Sequence, residues 1–192
     1  MESVSQLQLG SNRRLKTSRF ARLTILALLA VGSLFGAVPA DAQVSASGYV
    51  LPLNLALEAA QEAVRTCEAN GYAVTATVVD VSGTPKVTLR GDHATIHTKD
   101  SALRKAYTIV TMGPIWHFDA TSQFLEILSK YPPLAAQSLA STPNVTALPG
   151  GAAIQAHSEI IAGLGVGGSP GGDKDEVCAK AGVAKIQDRL PH

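Results

Sequence analysis

Between residues 53 and 70 the apolar positions Leu57, Ala60, Val64 and Cys67 recur at 3-4-3 spacing, the period of a helix with one buried face. Glu58, Glu62, Arg65 and Glu68 fall on its other faces, and Asn70-Gly71 is a stop because both residues tolerate left-handed backbone. The period then changes to two. Val74, Ala76 and Val78 point one way and Thr75, Thr77 and Val79 the other, which predicts a strand over 72–81. Ser82-Gly83-Thr84-Pro85 is a turn, and 86–90 is a second strand with Val87 and Leu89 inward, so the two strands make a hairpin. After a loop over 91–96, a helix is predicted over 98–111, with Thr98 as its N-cap and Ala102, Ala106, Ile109 and Val110 on its apolar side. Gly113-Pro114 is read as its stop.

The segment that follows is less periodic. A short helix is expected over 122–130 with Phe124, Leu125 and Leu128 inward; Pro132-Pro133 ends it, and 134–139 adds a further turn. Two strands, 152–155 and 159–166, meet around His157-Ser158, and Asp173 caps a last helix over 174–186. The order is helix, hairpin, helix, insert, hairpin, helix. Strands joined by tight turns pair antiparallel, so the class is α+β, with helices packed on an antiparallel sheet.

The first 42 residues read differently. Arg13, Arg14, Lys16, Arg19 and Arg22 precede an uncharged apolar run over 23–38, which ends at Pro39-Ala40-Asp41-Ala42. Basic, apolar, then small residues is the order of a removable secretory signal. The run is short of the roughly 20 residues that span a bilayer, so an uncleaved anchor is the lesser reading and no stable membrane span is expected after cleavage. Arg13-Arg14 invites a twin-arginine signal, which the following Leu15-Lys16 fits poorly. The expected organisation is a signal peptide over 1–42, a flexible lead over 43–52 and one domain over 53–192, in the periplasm or secreted. The whole chain has 192 residues and a formal charge of +1. Without the leader's five cations and two acids, 11 basic and 13 acidic residues remain, a charge of −2. That balance gives no basic patch for nucleic acid. In an oxidising compartment Cys67 and Cys178 are candidates for a disulfide, the alternative being two buried thiols.

Candidate chemistry gathers where the first hairpin meets the second helix. His97, Ser101, Lys105 and Thr108 have 4-4-3 spacing and would form a polar stripe, either a site or a solvated face. His97 stands at the helix start, where the macrodipole disfavours protonation and leaves a neutral, metal-binding imidazole. His93 and His97 are four apart, a spacing that clamps a metal only if both lie on the helix, and the helix starts too late for that. His117, between Trp116 and Phe118, is read as a haem-edge residue or an ordinary histidine. Gly163, Gly165 and Gly168 match the bare G-x-G-x-x-G spacing but sit in an antiparallel hairpin, so close packing is their reading rather than a dinucleotide site.

The runs Val78-Val79-Asp80, Leu89-Arg90-Gly91-Asp92-His93-Ala94, His97-Thr98, Arg104-Lys105-Ala106-Tyr107-Thr108, Pro149-Gly150-Gly151 and Ile160-Ile161-Ala162-Gly163-Leu164-Gly165-Val166 resemble the GlcG/HbpS family, also called the haem-degrading domain family. The likeness extends through Pro170-Gly171-Gly172-Asp173-Lys174-Asp175-Glu176 and Cys178-Ala179; the insert, roughly 116–145, is its weak stretch. It implies a profilin-like α/β/α sandwich with a central antiparallel sheet, assembling as a homo-oligomer. It also implies neighbouring first and last helices, which favours a Cys67–Cys178 bridge. Exported members are usually haem-binding, so the implied cofactor is haem, with His97 and then His93 as iron ligand and Arg90, Lys105 and Ser101 lining the site. Many relatives have glycine at the position of His93. Three functions follow: an exported haem-binding protein for storage, carriage or sensing; a metal-independent lyase or isomerase acting on a small organic or aromatic acid, with His97 as base and Lys105 or Arg90 holding the carboxylate; or a non-catalytic sensory or assembly subunit.

Overall fold

A computed structural model describes residues 48–192. The expected leader, its cleavage site and residues 43–47 of the lead lie outside the described residues. The elements run α1 (Leu53–Ala69), β1 (Thr75–Asp80), β2 (Pro85–Arg90), α2 (Thr98–Trp116), α3 (Thr121–Leu128), α4 (Pro133–Ala140), β3 (Gly151–Ala156), β4 (Glu159–Gly167) and α5 (Gly172–Ile186), with a 3-10 turn at Gln187–Arg189. The sheet order is β2-β1-β4-β3 and every pairing is antiparallel. This is the expected α+β class. Among the described residues no helix is long and apolar enough to cross a membrane.

Three layers result from the alternation along β1. Ala76 and Val78 join α1 and α5 in one core with Leu164, Val166 and Ile154. Val79 faces the other way, onto Ala106 and Val110 of α2. Both faces of β1 are therefore buried, threonines included. The β3–β4 turn is the two residues His157 and Ser158, at φ 51° and 63°, the left-handed pair whose twist matches a tight hairpin. The free side of β3 is covered by the bridge from Ala120 to Ala152 and by Ala153 N–H donating to Asp119 O at 2.8 Å. β2 is the open edge.

Several expectations are corrected by packing. The domain begins before residue 53, because Leu51 is 1% exposed and belongs to the core. The buried face of α1 is Leu55, Ala56, Ala59, Ala60, Ala63 and Cys67, while Leu57 is 38% exposed. The alanines win because α5 lies close: a Cβ at Gly182 would run into Ala59 O. α2 continues through Pro114 to Trp116 and ends at His117, in left-handed backbone at φ 54°. Its N-cap is His97 rather than Thr98. In α3 Phe124 and Leu128 are buried but Leu125 is not. α5 starts at Gly172, so Asp173 sits inside the first turn and not at the cap. The Cys67–Cys178 disulfide is formed and ties α1 to α5.

The glycines of β4 set the height of α2. A Cβ at Gly163 would strike Ala106 O and one at Gly165 would strike Ala102 O. One at Gly167 would come within 2.8 Å of Ser101 Oγ. The close-packing reading of this run is the one the structure bears out.

Candidate functional site

The site is built from the end of β2, the loop over 91–97 and the first turn of α2. Gly91 N–H closes the ladder onto Val74 O at 2.9 Å, and Ala94 N–H turns back to Gly91 O at 3.2 Å. His93 lies in that turn at φ 65°, a conformation that glycine adopts freely and an L-residue does not. Ala94 is buried and pins the loop, whereas His93, Ile96 and His97 are exposed. Thr98 Oγ1 donates to Thr95 O at 2.6 Å. Its one proton being used, it accepts from Thr75 Oγ1 at 2.7 Å. This chain of hydroxyls fixes the start of α2 on the sheet.

His97 Nδ1 is 3.1 Å from Thr95 Oγ1. With Nδ1–H as the donor, Nε2 keeps a free lone pair, and the partner on the first nitrogen orients the ring. Arg90 stands directly across from Thr75 in the register. Cross-strand neighbours share a face, so Arg90 emerges on the side of the sheet where Thr75 meets Thr98. It is exposed and makes no hydrogen bond or ion pair among the described residues. Ile96, immediately before His97 in the chain, presents apolar surface to water at 66% exposure.

The polar stripe along α2 divides. Ser101 is half-buried against Gly167, close to His97. Lys105 is not at the site: its Nζ lies 2.6 Å from Asp175 Oδ2, with both side chains 3% exposed. The expectation that Lys105 holds a propionate or a substrate carboxylate therefore meets an ammonium already buried and paired. Thr108 is buried too; its hydroxyl donates to Arg104 O at 2.8 Å and accepts from Thr146 N–H at 2.9 Å. His97 and His117 cap the two ends of the 19-residue helix, roughly 30 Å apart at 1.5 Å per residue, so the two cannot share a ligand. Among the described residues no group of three or more His, Cys, Asp or Glu could hold a metal ion.

Beside Asp175 is a second buried acid that sequence reading missed. Glu176 accepts from Ser122 N–H at 2.9 Å, Ser122 Oγ at 2.7 Å and Lys180 Nζ at 2.8 Å. Burial works to raise its pKa, but the bonds from Lys180 and Ser122 and the Lys180 charge outweigh it, and the net direction is down. It anchors α3 to α5. Partners 54 residues apart leave no local signal.

A cleft of 320 Å³ lies between α1 and the end of β2, lined by Gln61, Val64, Arg65, Leu89, Arg90 and Gly91. Arg65 was legible only as a solvated helix position. Its place here depends on which strand α1 covers.

The family model of HbpS-like haem-degrading proteins matches residues 51–184. Among solved structures, a double mutant of HbpS from Streptomyces reticuli is 39% identical, with 76% of this chain and 97% of that one covered and a TM-score of 0.63. A second HbpS structure is 37% identical, covering 77% and 97%, with a TM-score of 0.64. The complex of PduOC with haem is 25% identical, covering 72% and 96%, with a TM-score of 0.62. No curated protein matches the chain.

Proposed function

This chain belongs to the HbpS-like family of haem-degrading proteins, and on that premise we propose that it is an exported haem-binding protein that stores, carries or senses haem. The observation that carries the reading is the exposed Ile96-His97 pair at the start of α2, on the sheet face from which Arg90 emerges with no hydrogen bond or ion pair among the described residues. These are the three chemistries a haem asks for: apolar contact for the ring face, a neutral imidazole for the iron, and a guanidinium for a propionate. The likeness to a haem complex supports it. When bound, haem would supply an iron centre with redox and ligand-binding chemistry. The chain's part is to hold and orient it. His97 offers Nε2, and Thr95 on Nδ1 fixes the ring plane. Arg90 would donate to one propionate. His93 is the alternative ligand.

The test is haem titration of the mature chain, read by its Soret band, with His97→Ala and His93→Ala alongside. A saturable band at about one haem per chain that shifts or vanishes in His97→Ala supports the assignment. An unchanged spectrum in that variant removes His97 as ligand, and no saturable band removes the haem reading. Export is checked by N-terminal sequencing of periplasmic protein for a start at Gln43, and homo-oligomer assembly by light scattering.

A further inference from the structure

The α1 side of the β2 edge carries a cleft that iron ligation does not use. Its floor is Val64 and Leu89, both packed on the core. Gly91 lets α1 approach the end of β2: a Cβ there would come within 2.9 Å of Glu68 Oε1, 3.0 Å of Val74 O and 3.2 Å of Val64 Cγ1. At one end stand Gln61 and Arg65, four residues apart and so on one face of the helix. Gln61 makes no hydrogen bond among the described residues. Among the described residues Arg65 meets Glu62 alone, at 3.4 Å, with its side chain 62% exposed, too long and too wet for a strong charge-assisted bond. Glu68 lies a turn further along α1 and repels an anion from the other end. The cleft is thus polarised, with donors at one end and an apolar floor beyond them. Its 320 Å³ is at the small end of ligand pockets.

We infer that this cleft binds a carboxylate borne on an apolar body, with Arg65 and Gln61 donating to the carboxylate and Val64 and Leu89 covering the body. That chemistry has two sources, a haem propionate reaching over the β2 edge past Arg90, or a free small organic acid. Only the first rests on the haem reading above. The test titrates the mature chain with sodium benzoate by calorimetry, and with haem and haem dimethyl ester by absorbance, using Arg65→Gln and Glu62→Gln. Arg65→Gln is expected to weaken binding about tenfold. Glu62→Gln, which frees the guanidinium, is expected to tighten it a few-fold. Opposite signs from adjacent turns of one helix are not what a loss of structure produces, and circular dichroism should be unchanged in both. Benzoate binding that follows this pattern identifies a free acid. Haem binding that follows it, with the dimethyl ester insensitive, identifies the propionate. Benzoate bound with no haem bound supports the cleft and sinks the haem reading. Neither benzoate nor haem responding to Arg65→Gln by more than about twofold, or neither binding at all, overturns the inference.

Discussion

Replacing Lys105 with Met separates structure from function most sharply. The ammonium lies 2.6 Å from Asp175 Oδ2 and both side chains are 3% exposed, so the value of about 0–1 kcal/mol for surface pairs does not apply. Lys105→Met would leave a buried carboxylate whose remaining partner is Ser169 N–H, 2.9 Å from Oδ1. Removing one member of a buried pair costs about 3–5 kcal/mol, and the surviving Ser169 bond places this case at the lower end. For a domain of this size that is a fall in Tm of roughly 10 °C. Urea unfolding should show a lower midpoint with an unchanged slope. Asp175→Asn in the Lys105→Met background removes the stranded charge and keeps the acceptor for Ser169, so it should restore more than half the loss. Haem affinity per folded molecule should stay at the wild-type value in both. A Lys105→Met protein with wild-type stability and no haem band would refute the reasoning and return Lys105 to the ligand.

Three further outcomes are expected. Reducing Cys67–Cys178, which spans 111 residues, should lower stability by about 4–5 kcal/mol, measured by urea unfolding with and without reductant; equal midpoints would count against it. Glu176 and Asp80 both titrate below their ordinary values of 4.5 and 3.8, because hydrogen bonds outweigh the opposing effect of burial. At a given acid pH the unfolded chain then binds more protons, so their stabilisation is complete above the ordinary carboxylate range and is lost as pH falls through the lower folded values. Urea midpoints between pH 6 and pH 3 should show this, with a shallower fall in Glu176→Gln; parallel curves would contradict it. His93→Gly should raise stability by up to about 1 kcal/mol, since the strain of a left-handed residue, about 1–2 kcal/mol, is only partly offset by the freedom of glycine in the unfolded chain. A loss of stability would mean that the imidazole makes contacts that hold the loop, and haem titration of the same variant shows whether it is a ligand.

The parts of the fold set by local period were legible in the sequence: α1, both hairpins, the apolar side of α2 and the α+β class. So was the placing of Arg90 at the end of β2 and of His97 and Ser101 at the start of α2, on either side of one loop. Which face of α1 is buried was not, because Leu57 and Val64 outrank alanines on any hydrophobic scale, whereas the close approach of α5 at Gly182 selects Ala56, Ala59 and Ala63. Pro114 looked like a stop, yet α2 carries it within its last turn, beyond Gly113, which leaves room for Ile160 and Phe118. The burial of Lys105 was hidden for a different reason. Its partner is 70 residues away, and a lysine on a polar stripe reads the same whether it faces water or an acid from another helix.

The contact between α2 and the bare backbone of β4 also governs which changes the chain can survive over generations. Gly163, Gly165 and Gly167 are closed to other residues because helix atoms already occupy the space a side chain would need. In the loop before α2, His93, Ile96 and His97 face water and accept replacement at little risk to folding. Drift will therefore accumulate in the loop and hardly at all in the strand beneath it. Lineages can trade one side chain for another in that loop while the platform that presents it keeps the same height.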